Sequence, residues 1–181
     1  MGRLSNIIIT GDLRVGKSTL VHRVLSALDI SVLGLFCEPI LKNTFIMGYK
    51  LRITGASAPL VFAHQNMRSD KSFGPFGCDP DVFYQAADYL DNFITSSDDI
   101  VVIDEIGLIE EENAAYSAAV KRILDSSKPA LVVVQLRADY MWRHLNKRQD
   151  WQKFEVTLKN RDVLVERISK EVQALCVKNK T

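Results

Sequence analysis

Gly11, Gly16, Lys17 and Ser18 occupy the spacing G-x-x-x-x-G-K-S inside "ITGDLRVGKSTLVHRVL", and those residue types at that spacing suit one task, cradling a chain of phosphates. A loop that wraps a triphosphate turns successive backbone N–H groups inward. It therefore needs positive φ and no Cβ where the phosphate approaches, and Gly11 and Gly16 meet those needs. Lys17 can reach the β- and γ-phosphates as a point charge, and Ser18 can offer its hydroxyl to Mg²⁺. The start of the next helix adds partial positive charge at the same place. Asp12, Leu13, Arg14, Val15 and Thr19 complete this nucleotide-binding stretch. Arg14 is a bulky cation at its rim, able to reach the γ-phosphate or to point into solvent.

Chemistry on a bound triphosphate also needs a carboxylate for the metal and a group that orients the nucleophile. "VVIDEIG" offers both in adjacent residues. Asp104, closing an apolar strand, can meet the Mg²⁺ held by Ser18, and Glu105 can position or deprotonate an attacking water. Cations for the developing charge could come from Arg52, from the group Arg137, Arg143, Lys147 and Arg148, or from Arg161. The Arg137 to Arg148 group reads first as the solvated face of a helix, and Trp142 and Trp151 beside it as packing residues. His22, His64 and His144 have no metal-ligand spacing.

The elements needed to place these residues are legible as an α/β alternation. Asn6 to Thr10 reads as a strand, Gly11 to Lys17 as the loop, and Leu20, Val21, Val24, Leu25 and Leu28 recur at helical spacing. "SVLGLF" (31–36) is a second strand, and a parallel, right-handed βαβ unit is the default pairing of the two. From Glu38 onward the pattern becomes short alternating runs, which predict an inserted β meander over Thr44 to Ala63, within an insert of about 38–78. "SDKSFGPFGCDP" reads as a loop, Asp79 as an N-cap and Pro80 as the opening of a helix. Strands at "IVVIDE", "PALVVVQL" and "WQKFEVTL" then alternate with helices at "NAAYSAAVKRILDSS", "YMWRHLNKR" and "DVLVERISKEVQALCV". Continuous apolar runs such as "IVVI" and "LVVV" mark strands buried on both faces. The expected architecture is a three-layer α/β sheet with a β-rich insert, one domain over residues 1–181, and a frayed "KNKT" end.

Bulk composition narrows the partners. The chain has 181 residues, 47% hydrophobic, with mean hydropathy of zero and a net charge of +1, as 23 basic residues face 22 acidic ones. No strong field invites nucleic acid or an anionic membrane. The start "MGRLSN" lacks an apolar leader and does not complete a myristoylation signal, and no apolar run approaches membrane-spanning length. Cys37, Cys78 and Cys176 are odd in number and lack zinc spacing, so they read as reduced thiols of a cytoplasmic protein; the chain is expected to be a monomer, with a protein partner left open.

Six segments taken in order resemble the THEP-type nucleoside-triphosphatases, small P-loop proteins related to the cancer-related NTPase of vertebrates. They are the phosphate loop, "GLFCEPI", "MGYKL", "SFGPFGCDPDVF", "VVIDEIGLIE" and "VTLKNRDVL". The resemblance implies a RecA-like P-loop sheet and Mg²⁺-dependent hydrolysis of ATP, GTP and other NTPs to the diphosphate, with low base selectivity. It carries Gly11, Gly16, Lys17 and Ser18 to phosphate and metal, and Asp104 with Glu105 to metal and water. It also matches Glu38 and the Asn160–Arg161–Asp162 run, without fixing their roles. The chain departs from the family pattern in lacking Pro-Gly in the loop, in Cys37 where Thr is usual, and in Leu41 where an Arg would fall. Loss of that cation implies slow turnover, for which Arg14 could compensate. Besides a slow hydrolase, the residues admit a nucleotide or small-molecule kinase with a basic lid around Arg143, and a nucleotide-dependent switch that uses the Phe73 to Cys78 loop.

Overall fold

Ile7, Ile8 and Ile9, Val101 to Ile103 and Leu131 to Val134 are all essentially inaccessible to solvent. Strands apolar on consecutive positions must be covered on both faces, and burying each such side chain stabilises the fold by roughly 1.5–3 kcal/mol. The computed structural model describes residues 5–108 and 113–178. The "MGRL" start, Ile109 and Glu110 of the second motif, and the final three residues of "KNKT" lie outside them.

The strands are β1 (Asn6–Gly11), β2 (Val32–Lys42), β3 (Phe45–Ile53), β4 (Leu60–His64), β5 (Ser72–Phe73), β6 (Phe76–Cys78), β7 (Ile100–Ile106), β8 (Ala130–Val134) and β9 (Trp151–Val156). The helices are α1 (Lys17–Ser26), α2 (Val82–Phe93), α3 (Ala114–Asp125), α4 (Asp139–Leu145) and α5 (Arg161–Lys178). All nine strands form one sheet in the order β5-β6-β4-β3-β2-β7-β8-β1-β9. The β2-β7-β8-β1-β9 part is parallel and the rest is antiparallel. Alternate side chains of β1 serve two cores. Ile7 and Ile9 pack with α1 and α5, whereas Ile8 packs with α2, α3 and α4. The result is the three-layer α/β architecture expected from the sequence.

Four details go beyond the expectation or differ from it. β1 and β2 are parallel but not neighbours, because β7 and β8 lie between them. β7 and β8 are buried along nearly their whole length and so take the middle of the sheet, and this order puts one strand between the phosphate loop and the Asp-Glu strand. The expected meander is present as antiparallel β3 and β4, but it belongs to the main sheet: β2 runs on to Lys42, and β3, β4, β6 and β5 extend the same sheet. Within the expected loop, Phe73 and Phe76 pair in a short hairpin. Finally, α2 begins at Val82, since the Asp79 carboxylate accepts from Asp81 N (3.0 Å) and so shapes the turn before the helix rather than capping it.

At the end of the sheet opposite the phosphate loop, a polar cluster joins the start of β1 to the start of β9. The Arg148 guanidinium donates to Asp150, to Asp125 and to the Leu124 carbonyl, and Ser5 Oγ donates to Asp150 Oδ2 at 2.9 Å. Arg148 is thus a structural tie, away from any bound phosphate. Trp142 and Trp151 pack against each other at 6.1 Å, each with its indole N–H on a backbone carbonyl. Among the described residues no helix is long and apolar enough to cross a membrane, and all three cysteines are thiols.

Candidate active site

The chain leaves β1 at Gly11 (φ 145°), turns through Arg14 (φ 61°), and enters α1 at Gly16 (φ 96°). Positive φ at both glycines fulfils the sequence reading. At Gly11, however, the space is denied by the protein itself, since a Cβ there would stand 2.3 Å from the Val156 carbonyl oxygen of β9. Gly16 is the N-cap of α1 and no side chain caps the helix. The first-turn N–H groups are therefore left for an incoming anion, with the helix dipole behind them. Val15 is buried and anchors the loop, whereas Asp12, Leu13, Arg14, Ser18 and Thr19 are exposed along its rim.

Lys17 is buried, and its ammonium donates to the carbonyls of Gly11 (3.1 Å) and Asp12 (2.9 Å). It lies 3.9 Å from a Glu105 carboxylate oxygen. Ser18 Oγ donates to Asp104 Oδ1 at 3.2 Å. The two sequence motifs, 86 residues apart, meet here. Asp104 is 2% exposed, and burial pushes its carboxyl up to about 7, with the Glu105 charge adding to the effect and the Ser18 hydroxyl and Lys17 opposing it. A buried carboxylate beside a hydroxyl is a hard-oxygen pair whose desolvation a divalent cation would relieve. These residues therefore fit Mg²⁺.

Neighbours on a regular strand point to opposite faces, so Asp104 and Glu105 should not share a site. The β7/β8 ladder shifts register between Ile103 and Ile106, and this irregularity lets both carboxylates face the loop. The peptide joining them is cis. Gln135, just past β8, donates from Nε2 to Glu105 Oε1 and holds the carboxylate from the far side. Gly107 makes room for it, since a Cβ there would meet the Gln135 amide at 2.5 Å. Sequence reasoning missed Gln135. The available signal was a polar residue directly after the apolar run "LVVV", at the carboxyl end of a parallel strand, where ligands bind in open α/β sheets.

The remaining candidates divide. Asn160 is structural: its side chain accepts from Thr157 N (2.8 Å) and donates to the Glu155 carbonyl (2.9 Å), closing the β9–α5 turn. Arg161 lies over Gly16, its Nη1 3.1 Å from where a Cβ would be. With Thr19, Leu20, Arg23 and Asp162 it lines a cleft of 130 Å³ beside the loop. Asp162 is bound to Arg23 of α1. A larger groove of 460 Å³ at His22, Ser26 and Val165 lies farther along α1 and away from the two motifs. Glu38, on β2, receives Arg52 Nε (2.6 Å) and Lys50 Nζ (3.5 Å) from β3. Burial would raise its carboxyl, but those two cations outweigh burial and hold it below its ordinary value. Burial raises the Tyr49 phenol, with Cys37 and Glu105 acting in the same direction and Arg14 against. The structure brings together Lys17, Ser18, Asp104 and Glu105, places Arg161 and Arg14 at the margins, and leaves Arg148 outside. Among the described residues no three His, Cys, Asp or Glu side chains cluster as metal ligands.

Comparison with known proteins agrees with this fold. The fold is similar to the crystal structure of THEP1 from Aquifex aeolicus (TM-score 0.77, 24% identity, covering 90% of this chain and 96% of that one). It is equally similar to the solution structure of a human cancer-related nucleoside triphosphatase (TM-score 0.76, 24% identity, 96% and 98% covered). In sequence the chain is 29% identical over 176 residues to the nucleoside-triphosphatase THEP1 of Methanopyrus kandleri, covering 92% of this chain and 94% of the relative. Residues 6–169 match the family model described as NTPase, and with that match running from β1 into α5 the chain belongs to the NTPase family.

Proposed function

We propose that the protein is an Mg²⁺-dependent nucleoside-triphosphatase that hydrolyses ATP, GTP and other NTPs to the diphosphate and phosphate. The observation that carries this reading is Glu105, held between Lys17 and Gln135 at the mouth of an uncapped helix N-terminus. A carboxylate fixed there faces the γ-phosphate side of the loop, where it can orient water and take its proton. Lys17 exchanges its two loop carbonyls for β- and γ-phosphate oxygens, and the free N–H groups of α1 bind the rest of the chain of phosphates. Ser18 and Asp104 would hold Mg²⁺, which supplies charge neutralisation across the phosphate oxygens when bound. Arg161 and Thr19, on the 130 Å³ cleft, are positioned for the nucleoside side of the ligand. We read the chain as one domain acting as a cytoplasmic monomer. Within the basic stretch that a kinase lid would use, Arg148 is committed to Asp150 and Asp125.

The test is phosphate release from ATP and from GTP with Mg²⁺ and no other acceptor, wild type beside Glu105→Gln. Steady release by the wild type is expected to fall about 10²- to 10⁴-fold in the variant while bound triphosphate is retained. Tight binding without release from the wild type would refute hydrolysis and point to an acceptor other than water.

A further inference from the structure

Asp104, Phe36 and Arg52 lie side by side across three strands. Phe36 of β2 pairs with Asp104 of β7 in parallel register and with Arg52 of β3 in antiparallel register. Ladder partners place their side chains on the same face of a sheet, and here two contacts identify that face. The Asp104 carboxylate meets Ser18 of α1, and the Phe36 ring stacks on His22 of α1 at 5.3 Å and 21°. Arg52 therefore projects on the α1 side, two strand spacings (about 10 Å) from the Asp104 backbone.

Its side chain does not extend outward along β3. The guanidinium carbon sits 4.5 Å above the Phe36 ring centroid, folded across β2 towards β7. Glu38, the next position of β2 on that face, fixes the guanidinium from one side only, through Nε at 2.6 Å. Among the described residues neither Nη atom has a protein partner. An arginine supported by a ring, pinned at Nε and with its terminal fork open presents the two parallel N–H groups that suit phosphate oxygens. Arg52 is not part of the resemblance to the family. This chain carries it together with Leu41, the position at which it lacks the expected family arginine, and Leu41 lies farther out on the β2–β3 hairpin, opposite Ile46.

We propose that Arg52 is a catalytic residue acting on the terminal phosphate from within the same chain, with Glu38 as its positioning residue; this rests on the triphosphatase reading above. In the step it assists, the water oxygen bonds to the γ-phosphorus as the bond from that phosphorus to the β–γ bridging oxygen breaks. The diphosphate leaves with the bridging oxygen, and the water proton passes to Glu105. Arg52 exchanges no proton: its Nη groups bind equatorial γ-oxygens more strongly as charge spreads over them. The antiparallel extension then acts as a wall of the site that delivers a cation without a second chain.

The experiment compares full-length wild type, Arg52→Ala, Arg52→Gln, Glu38→Gln and the double variant Arg52→Ala/Glu38→Gln, all with Mg²⁺ and ATP. Expected is a fall in kcat of about 10²- to 10³-fold for both Arg52 variants, with affinity for a non-hydrolysable ATP analogue within about threefold of wild type. Capture of ADP with aluminium fluoride should be lost in the same variants, and added guanidinium ion at millimolar concentration should raise the rate of Arg52→Ala but not of wild type. Glu38→Gln should lower kcat about tenfold alone and add nothing in the double variant, as a residue acting only through Arg52 must. Arg52→Gln keeps a polar stem over Phe36, so a folding defect confined to the alanine variant leaves the test intact. Wild-type hydrolysis matched within threefold by both folded Arg52 variants overturns this inference alone. Absence of phosphate release from the wild type overturns the triphosphatase reading and this inference with it.

Discussion

Replacing Gly11 with alanine tests whether this glycine is required by the fold as well as by a phosphate. Its φ is 145°, and an added Cβ would lie 2.3 Å from the Val156 carbonyl oxygen, where real Cβ atoms essentially never come closer than 3.0 Å. Val156 is the direct ladder partner of Gly11 at the end of β9, so either β9 recedes by about 0.7 Å or β1 does. Backbone strain of this kind costs about 1–3 kcal/mol, and forced displacement of packed structure about another 1–3 kcal/mol. A combined loss near 4 kcal/mol corresponds to a Tm lower by about 8–16 °C in a protein of this size. Gly55→Ala is the control. Gly55 also has positive φ (81°), but nothing lies within 4 Å of its added Cβ, so only strain of about 1–2 kcal/mol remains. Thermal unfolding of both variants without nucleotide is the assay. Equal Tm losses for the two would refute the argument that the β9 carbonyl, and not φ alone, demands glycine at position 11.

Two further outcomes follow from the same geometry. Lys17→Ala should abolish the stabilisation that nucleotide gives, which for wild type at a hundredfold excess over Kd is about 2.7 kcal/mol, a rise in Tm of about 5–11 °C; thermal shift with ATP and Mg²⁺ measures it, and a retained rise would show that the loop binds phosphate without its lysine. The third concerns acid. Burial raises the Asp150 carboxyl, but Arg148 and Ser5 outweigh burial and hold it below its ordinary value of 3.8. The unfolded chain then binds the proton more tightly, so this stabilisation is complete above pH 3.8 and is lost as pH falls through the lower folded value. Asp150→Asn should be less stable than wild type by about 1–2 kcal/mol at pH 7. Urea unfolding should show that gap narrowing below pH 3.8, and a gap unchanged down to pH 3 would contradict the assignment.

Local chemistry explains what was readable in advance. Gly11, Gly16, Lys17 and Ser18 are neighbours in sequence, and a motif whose parts are all local announces itself. Asp104 and Glu105 were legible for the related reason that a buried apolar run ending in acids has few uses. Gln135 was not legible as part of a site, and Arg52 and Glu38, each a candidate by itself, were not legible as a pair. Gln135 approaches Glu105 from 30 residues away, and Arg52 reaches Phe36 only because β2 and β3 pair in one register. The alternating pattern of the insert gave β3 and β4 but not the β5–β6 hairpin, and it could not say that these strands continue the main sheet, since pairing partners are a property of edges and not of periodicity.

The sequence by itself therefore determined the class of ligand, the α/β alternation and the two short stretches that hold the candidate phosphate-binding and metal-binding residues, because each stretch is local in the chain. Only the tertiary structure decided the strand order that separates β1 from β2, the register shift that turns two consecutive carboxylates into one site, and the row that carries Arg52 towards it. Those features depend on which strands meet and in what register. That choice is made by burial of whole faces at once, and no short window of sequence contains it.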